Sequence, residues 1–312
     1  MEPLGFGSLW SYGVAVPESR QLILIGIGGV IGASIRWGIT SIPDQAVLAE
    51  AISIPTLVAN VMGCMVLGLL VANPVPDRLQ WPMAVGVSGG LTTMSTLAVE
   101  IVDGFGTNVL TTLAYIGLSV GLGALGFWLG SMANMSHPET PRAKVQQALG
   151  FALASVIGLL VLNGVIGAVD AVFDEGFFVA WAFAPAAFAG TVLRALITKL
   201  DAPPERQMQG VLAANVLGSF LLGFLTGRIG VDLITGLGEA GDATEAISSM
   251  DRASLIVWGT AALGAFTTFS TMIFQFTTIA REQRRARAVQ VVSATLILTV
   301  GAAALGRLLG GI

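Results

Sequence analysis

The sequence predicts an all-α integral membrane protein. It is expected to have nine transmembrane helices in a 4+1+4 arrangement, as two inverted four-helix repeats around a lone central helix. The third helix of each repeat is expected to be broken. Three observations lead there. The composition is 54% hydrophobic and 11% charged over 312 residues, with mean hydropathy +0.82, against about 25% charged residues in a soluble domain. Nine segments reach the roughly 20 mostly apolar residues that a crossing needs. Three short patterns in the first half return in the same order in the second.

The chain is divided into an N-terminal tail (1–20), a first repeat (21–135), a linker with an extra crossing (136–175) and a second repeat (176–312). The tail carries acidic Glu2 and Glu18, and no small-residue cleavage pattern follows it, so no cleavable signal peptide is expected. The nine segments are about 21–41, 53–72, 81–99, 107–133, 148–169, 176–198, 209–227, 254–280 and 288–309. Only Arg36 and Arg194 place a charge well inside one, and Glu100 falls at the end of the third. Segment 5 has no ionisable residue and no counterpart.

The repeats align through Gly32-x-x-x-Arg36 with Gly190-x-x-x-Arg194 and Asn60-x-x-Gly63 with Asn215-x-x-Gly218. The third match is Thr92-Thr93-Met94-Ser95-Thr96 with Thr267-Thr268-Phe269-Ser270-Thr271. Each of the last pair follows a small-residue run, Gly89-Gly90-Leu91 or Gly264-Ala265-Phe266. Hydroxyl side chains compete for backbone hydrogen bonds and glycine loosens the helix, so both stretches predict mid-membrane breaks near 89–93 and 264–268 that touch at a pseudo-twofold axis. Such a break survives only where protein buries it or a wet cavity lines it, and paired breaks mark a transport site.

One extra crossing makes the second repeat enter from the opposite face. Loop charges agree. Arg20, Arg78, Arg142, Lys144, Lys199, Arg206, Arg281, Arg284, Arg285 and Arg287 fall on one side; Arg228, Arg252 and Arg307 fall on the other. The positive-inside rule then puts the N-terminus in the cytoplasm and the C-terminus outside, in the cell membrane. Trp37, Trp81, Trp128, Trp181 and Trp258 lie near segment ends, as in an interfacial belt. Gly28/Gly32, Gly117/Gly121 and Gly126/Gly130 have the spacing for close helix approach. The acidic loop 228–253 lacks calcium-loop spacing.

An enzyme is not expected. The Gly-x-Gly-x-x-Gly at 121–126 lies inside an apolar segment with no preceding strand, and the Gly-x-Ser-x-Gly at 86–90 has no fold context. The one histidine, His137, is in a loop, and Cys64 is alone. What remains is a set of donors, amide and hydroxyl, without a carboxylate in mid-segment, which favours an anion. A coupled secondary transporter and a non-conducting scaffold subunit are the competing classes.

Gly-x-x-x-Arg in the first helix, Thr56-Leu57-x-x-Asn60-x-x-Gly63 in the second and Gly89-Gly90-Leu91-Thr92-Thr93-x-Ser95-Thr96 in the third together resemble the Fluc (CrcB-type) fluoride channels, in their tandem fused form. The resemblance implies a passive channel exporting fluoride from the cytoplasm, with the lipid bilayer as its other partner and no nucleic acid. It implies a monomer that acts as a pseudo-dimer, with pores between the halves. Pore positions would be Thr56, Asn60, Thr93, Met94, Ser95, Leu97, Asn215, Thr268, Phe269, Ser270 and Met272. A central structural sodium ion would sit on the carbonyls of Gly89, Thr92, Gly264 and Thr267, and Arg36 and Arg194 would have structural or vestibule roles. The family pattern is Thr-Thr-Phe-Ser-Thr-Phe; here Met94, Leu97 and Met272 replace three of four phenylalanines, and Val211 stands where the first repeat has Thr56. Pairing Met94 with Met272 and Phe269 with Leu97 leaves one pore with an aromatic edge, so one conducting pore is expected.

Overall fold

A computed structural model of the chain describes residues 19–41, 47–48, 52–73, 75–133, 177–200, 203–230, 249–282 and 284–312. The expected crossing at 148–169, nearly all of the N-terminal tail and most of the acidic loop lie outside these residues, as do Arg142 and Lys144.

Among the described residues, eight helices are long and apolar enough to cross a membrane, and they fall into two sets of four. The first set is α1 (Ser19–Thr40), α2 (Ile54–Ala72), a broken third span and α5 (Val109–Met132). The broken span comprises α3, running from Asp77–Trp81 through π-helical Pro82–Ser88 to Gly89–Leu91, and α4 (Ser95–Thr107). The second set is α6 (Phe177–Thr198), α7 (Pro204–Ile229), a second broken span and α10 (Arg285–Gly310). Here α8 runs from Ser249–Ser254 through π-helical Leu255–Leu263 to Gly264–Phe266, and α9 covers Ser270–Arg281. A two-residue ribbon, Val47–Leu48 with Ile52–Ser53, precedes α2.

Small residues set the packing. Within the first repeat, α5 lies on α2 and α1 lies on α3; α7 with α10 and α6 with α8 repeat this in the second. A Cβ at Gly28 or Gly32 would collide with backbone of α3 and one at Gly130 with backbone of α2, while one at Gly126 would be in tight contact with α2, 3.0 Å from Val61 O. The third expected pair differs: nothing lies within 4 Å of a Cβ at Gly117 or Gly121, so that spacing marks no helix contact among the described residues.

Contacts between the repeats are reciprocal. The downstream half of each broken span bridges the two repeats: α4 packs on α7 and α10 as well as on α5 of its own repeat, and α9 packs on α2 and α5 as well as on α10 of its own. The main core cluster accordingly joins Cys64 and Leu67 of α2, Tyr115 and Phe127 of α5, and Phe269 and Phe274 from the second repeat.

Two expectations are corrected. The third span extends to Thr107 rather than ending near residue 99, so Glu100 (3% exposed) and Asp103 (6%) are buried acids inside it. Hydropathy stops at an acid because it weighs each residue against lipid; these two are matched instead by other helices. Trp37 is no belt residue: it is 5% exposed and stacks on Phe183 with centroids 4.6 Å apart. Trp128, Trp181 and Trp258 are exposed, as an interfacial position requires.

Candidate anion pathway

The two breaks are short and alike. Thr92 and Thr267 leave the helical region, at φ −94°, ψ 154° and φ −99°, ψ 162°, and helix resumes at Ser95 and Ser270. An asparagine clamps each one. Thr93 N–H donates to Asn60 Oδ1 (2.9 Å) while Asn60 Nδ2 donates to Thr93 O (3.2 Å). Asn215 does the same for Thr268, at 2.9 and 3.0 Å. Each carboxamide keeps a second N–H for another acceptor.

The breaks meet, as expected. Thr92 Oγ1 lies 3.3 Å from Thr268 Oγ1, and Thr93 Oγ1 lies 3.4 Å from Thr267 Oγ1. They also cap one another's helices. Thr267 Oγ1 accepts from Met94 N and Ser95 N at the start of α4, both at 3.2 Å. Thr92 Oγ1 accepts from Phe269 N (3.3 Å) and Ser270 N (3.2 Å) at the start of α9. Amides orphaned at a helix start are thus satisfied from the opposite repeat. Ser95 and Ser270 complete the cluster: Ser95 Oγ is 3.0 Å from Thr267 Oγ1, and Ser270 Oγ is 3.1 Å from Thr92 Oγ1.

The arginines serve the same crossing. Arg194 is 2% exposed. Its Nη1 donates to Gly89 O (2.8 Å) and Thr267 O (2.9 Å), one carbonyl from each repeat, and its Nη2 donates to Val85 O. Gly89 O is available because Thr93 N, which would reach it in an unbroken helix, is turned to Asn60. Arg194 also lines a cavity with Trp81, Val211, Thr268, Thr271 and Phe274, and its Nε has no hydrogen-bond partner among the described residues. Arg36, equally buried, donates from Nε to Gly90 O (3.1 Å) and from Nη2 to Thr260 O (2.8 Å). Both guanidinium groups therefore bind backbone of both repeats.

The carbonyls named for a cation divide into two pairs. Gly89 O and Thr267 O each hold one N–H of Arg194 and retain a second lone pair. Among the described residues no hydrogen bond reaches Thr92 O or Gly264 O, since the amides that would close those turns are bonded elsewhere. Two orphaned carbonyls with two half-used ones are the oxygen donors a small hard cation takes, and two guanidinium groups already stand beside them, Arg194 at Gly89 and Arg36 at Gly264.

Off the axis the repeats diverge. In the first, Thr56 Oγ1 donates to Glu100 Oε1 and Tyr115 OH donates to Glu100 Oε2, both at 2.6 Å and all buried. Ser119, one turn along α5 from Tyr115, is buried with no partner for its hydroxyl among the described residues. One turn further is Gly123, where a Cβ would lie 2.6 Å from Phe269 Cε1. Phe269 is fully buried, with its ring edge on α5 of the first repeat. At the corresponding places of the second repeat stand Val211, Gln275, Val291, Thr295 and Thr299, and Met94 takes the place of the ring. Gln275 Nε2 and Ser219 Oγ are buried without partners among the described residues. Met94, Leu97, Phe269 and Met272, expected in two pairs, belong to one buried cluster.

Sequence reasoning missed Tyr115 and Ser119 and placed Glu100 at a span end. The signal for the first two was present: Tyr115, Ser119 and Gly123 recur every fourth residue on one helix face.

A family model described as "CrcB-like protein, Camphor Resistance (CrcB)" matches residues 23–131 and again 181–307. A protein of Parasynechococcus marenigrum named "Fluoride-specific ion channel FluC 2" is 35% identical over 132 residues, which are 41% of this chain and 92% of that protein. One of the same name from Synechococcus sp. (strain CC9902) is 38% identical over 127 residues, 38% of this chain and 85% of its own length. A third of that name, from Rhodococcus jostii, is 33% identical over 110 residues, 35% of this chain and 94% of its own. No solved structure matches the chain.

Proposed function

Since the chain belongs to the CrcB-like family, matched once in each half, we propose that it is a passive fluoride channel in which one of two pseudo-symmetric routes conducts. It is not an enzyme, and its eight described spans make it a multi-pass membrane protein. Fluoride enters the reading from the names of the relatives. The carrying observation is the one-sided chemistry beside the breaks. Thr56, Glu100 and Tyr115 gather on the first repeat beside the break that Asn60 clamps, and the edge of Phe269 lies at Gly123, one turn along α5 from Ser119. A stripped fluoride needs polarised hydrogens along its path; the Ser119 hydroxyl, the second N–H of Asn60 and the positive edge of the Phe269 ring supply them, while Thr56 and Tyr115 give their one hydrogen each to Glu100. The second repeat has donors too, in Asn215, Gln275, Thr295 and Thr299; what it lacks is the ring edge, replaced by Met94, and the hydroxyls replaced by Val211 and Val291. Because α9 packs on α2 and α5, Phe269 shares its route with Asn60 rather than Asn215.

The repeats are read as inverted, with the N-terminus cytoplasmic, the C-terminus outside, and residues 148–169 as a ninth crossing in a cell-membrane monomer that acts as a pseudo-dimer. The loop charges support the orientation, and the family's tandem form, which the sequence resembles, motivates the pseudo-dimer.

Buried Glu100 favours a second reading, because the absence of a mid-span carboxylate no longer argues against proton coupling. Fluoride-electrode efflux from proteoliposomes with the voltage set by valinomycin separates the two. A channel lets fluoride run down its own gradient and stop at electrochemical equilibrium whatever the pH difference. Accumulation driven by an imposed pH gradient, absent from empty liposomes, identifies a coupled transporter. No flux in either arm leaves the scaffold role.

A sodium ion at the crossing is part of the proposal. Thr92 O, Gly264 O, Gly89 O and Thr267 O would hold it and would be fixed by it. The protein is expected to melt at higher temperature in sodium than in N-methyl-D-glucamine at equal ionic strength, because a ligand of the folded state alone stabilises it. Identical melting across a sodium titration defeats the assignment.

A further inference from the structure

The two repeats are similar in backbone, yet their mutual surface is not self-complementary. Asp103 of α4 forms an ion pair with Arg307 of α10, its side chain 1% exposed and that of Arg307 28% exposed. The positions related by the pseudo-twofold are Thr278 and Ser131. Thr278 lies ten residues beyond Thr268 as Asp103 does beyond Thr93, and Ser131 follows Gly130 as Arg307 follows Gly306. Gly130 and Gly306 are equivalent by contact: a Cβ at each would meet the backbone of α2 at Met65 or of α7 at Phe220, the fifth residue after Asn60 and after Asn215. Thr278 and Ser131 turn their hydroxyls to their own helices, at Phe274 O (2.8 Å) and Trp128 O (2.7 Å). The ion pair therefore occurs once, not twice.

A second asymmetry lies deeper in the same interface. The Phe269 ring occupies the space a side chain at Gly123 would fill. The position equivalent to Gly123 is Thr299, which is buried and bonded to Thr295 O at 2.7 Å.

We infer that Asp103–Arg307 and Phe269–Gly123 together form a pairing code by which each repeat accepts the other and rejects a second copy of itself. The surface concerned is the face of one repeat, and its fitting partner is the unlike repeat of the same chain. Two first repeats facing each other would put Asp103 on Ser131, a buried carboxylate with no cation. Two second repeats would put Phe269 on Thr299 and Arg307 on Thr278. Burying a charge without its partner is strongly unfavourable, and a ring cannot share the volume of a threonine. Specificity of this kind rests on what the wrong pairing costs as much as on what the right one gains.

The test uses full-length chains carrying two different tags, co-expressed and purified through one tag. Wild type is expected as single chains that bring down none of the second tag above background. D103R sets two arginines against each other within a chain, whereas self-pairing between chains sets each against Thr278 or Ser131. It should shift the balance toward exchange on the order of a hundredfold, the scale of losing a buried ion pair, and the second tag should co-purify. R307D should do likewise with two carboxylates. D103R/R307D restores the pair in reverse and should return to single chains with the melting of wild type. If D103R fails to fold, recovery by D103R/R307D still supports the code. Single variants that remain single chains and melt like wild type overturn it, and so does a double variant no better than the worse single one.

Discussion

Phe269→Ile is expected to abolish fluoride flux, with a loss on the order of a hundredfold, the scale on which one preorganised donor in a water-excluded site acts. Met94→Ile should leave most of the flux. The two positions are equivalent by repeat, both fully buried and both in the main core cluster, so loss of packing alone would affect them alike. They differ in surroundings. The ring edge of Phe269 lies at Gly123, one turn from Ser119 and two from Tyr115, whose hydroxyl donates to Glu100. Asparagine variants extend the comparison. Asn60→Ala and Asn215→Ala each unclamp one break and should cost similar stability, while flux per folded protein should fall much further for Asn60→Ala. Efflux from liposomes, normalised to protein that elutes as a single species, makes the measurement. Equal losses from Phe269→Ile and Met94→Ile would falsify the one-route reading, and near-normal flux in Phe269→Ile would remove the ring from the pathway.

Arg194→Leu is expected to be among the most destabilising single changes in the chain. It leaves Gly89 O, Thr267 O and Val85 O without their donor inside the protein. Each abandoned carbonyl costs about 1–3 kcal/mol, so a loss on the order of 4 kcal/mol follows, and a fall in melting temperature of roughly 10 °C. Arg194→Lys should recover only part, because an ammonium on a flexible stem cannot place three N–H groups in the plane of a guanidinium fork. Arg36→Leu frees two carbonyls rather than three and should cost less. Melting followed by light scattering in detergent ranks the four proteins. An Arg194→Leu protein that melts within about 2 °C of wild type would show that the crossing holds without the clamp.

Much of this was legible in the chain itself. Composition and segment length specify a membrane protein, because hydrocarbon selects for apolar stretches of a set length whatever their neighbours are. The duplicated Asn60/Asn215, Arg36/Arg194 and Thr-Thr-x-Ser-Thr patterns specify two repeats and two breaks, because a local failure of helix hydrogen bonding is written in local residues. The span at 148–169 and the direction of each repeat rest on the sequence still.

Tertiary structure decided the rest, and the reason is distance along the chain. Glu100 looks like the end of a span until Thr56, 44 residues earlier, and Tyr115 donate to it. Asp103 looks like loop until Arg307 arrives from the last helix. Trp37 looks interfacial until Phe183 covers it. The threonines of each break look like fillers for their own backbone, yet Thr92 and Thr267 cap helices of the opposite repeat. Whether a polar group is tolerated in a membrane depends on the partner that meets it, and those partners come from distant stretches of the chain, Thr56 and Tyr115 within the repeat and Arg307 from the other one.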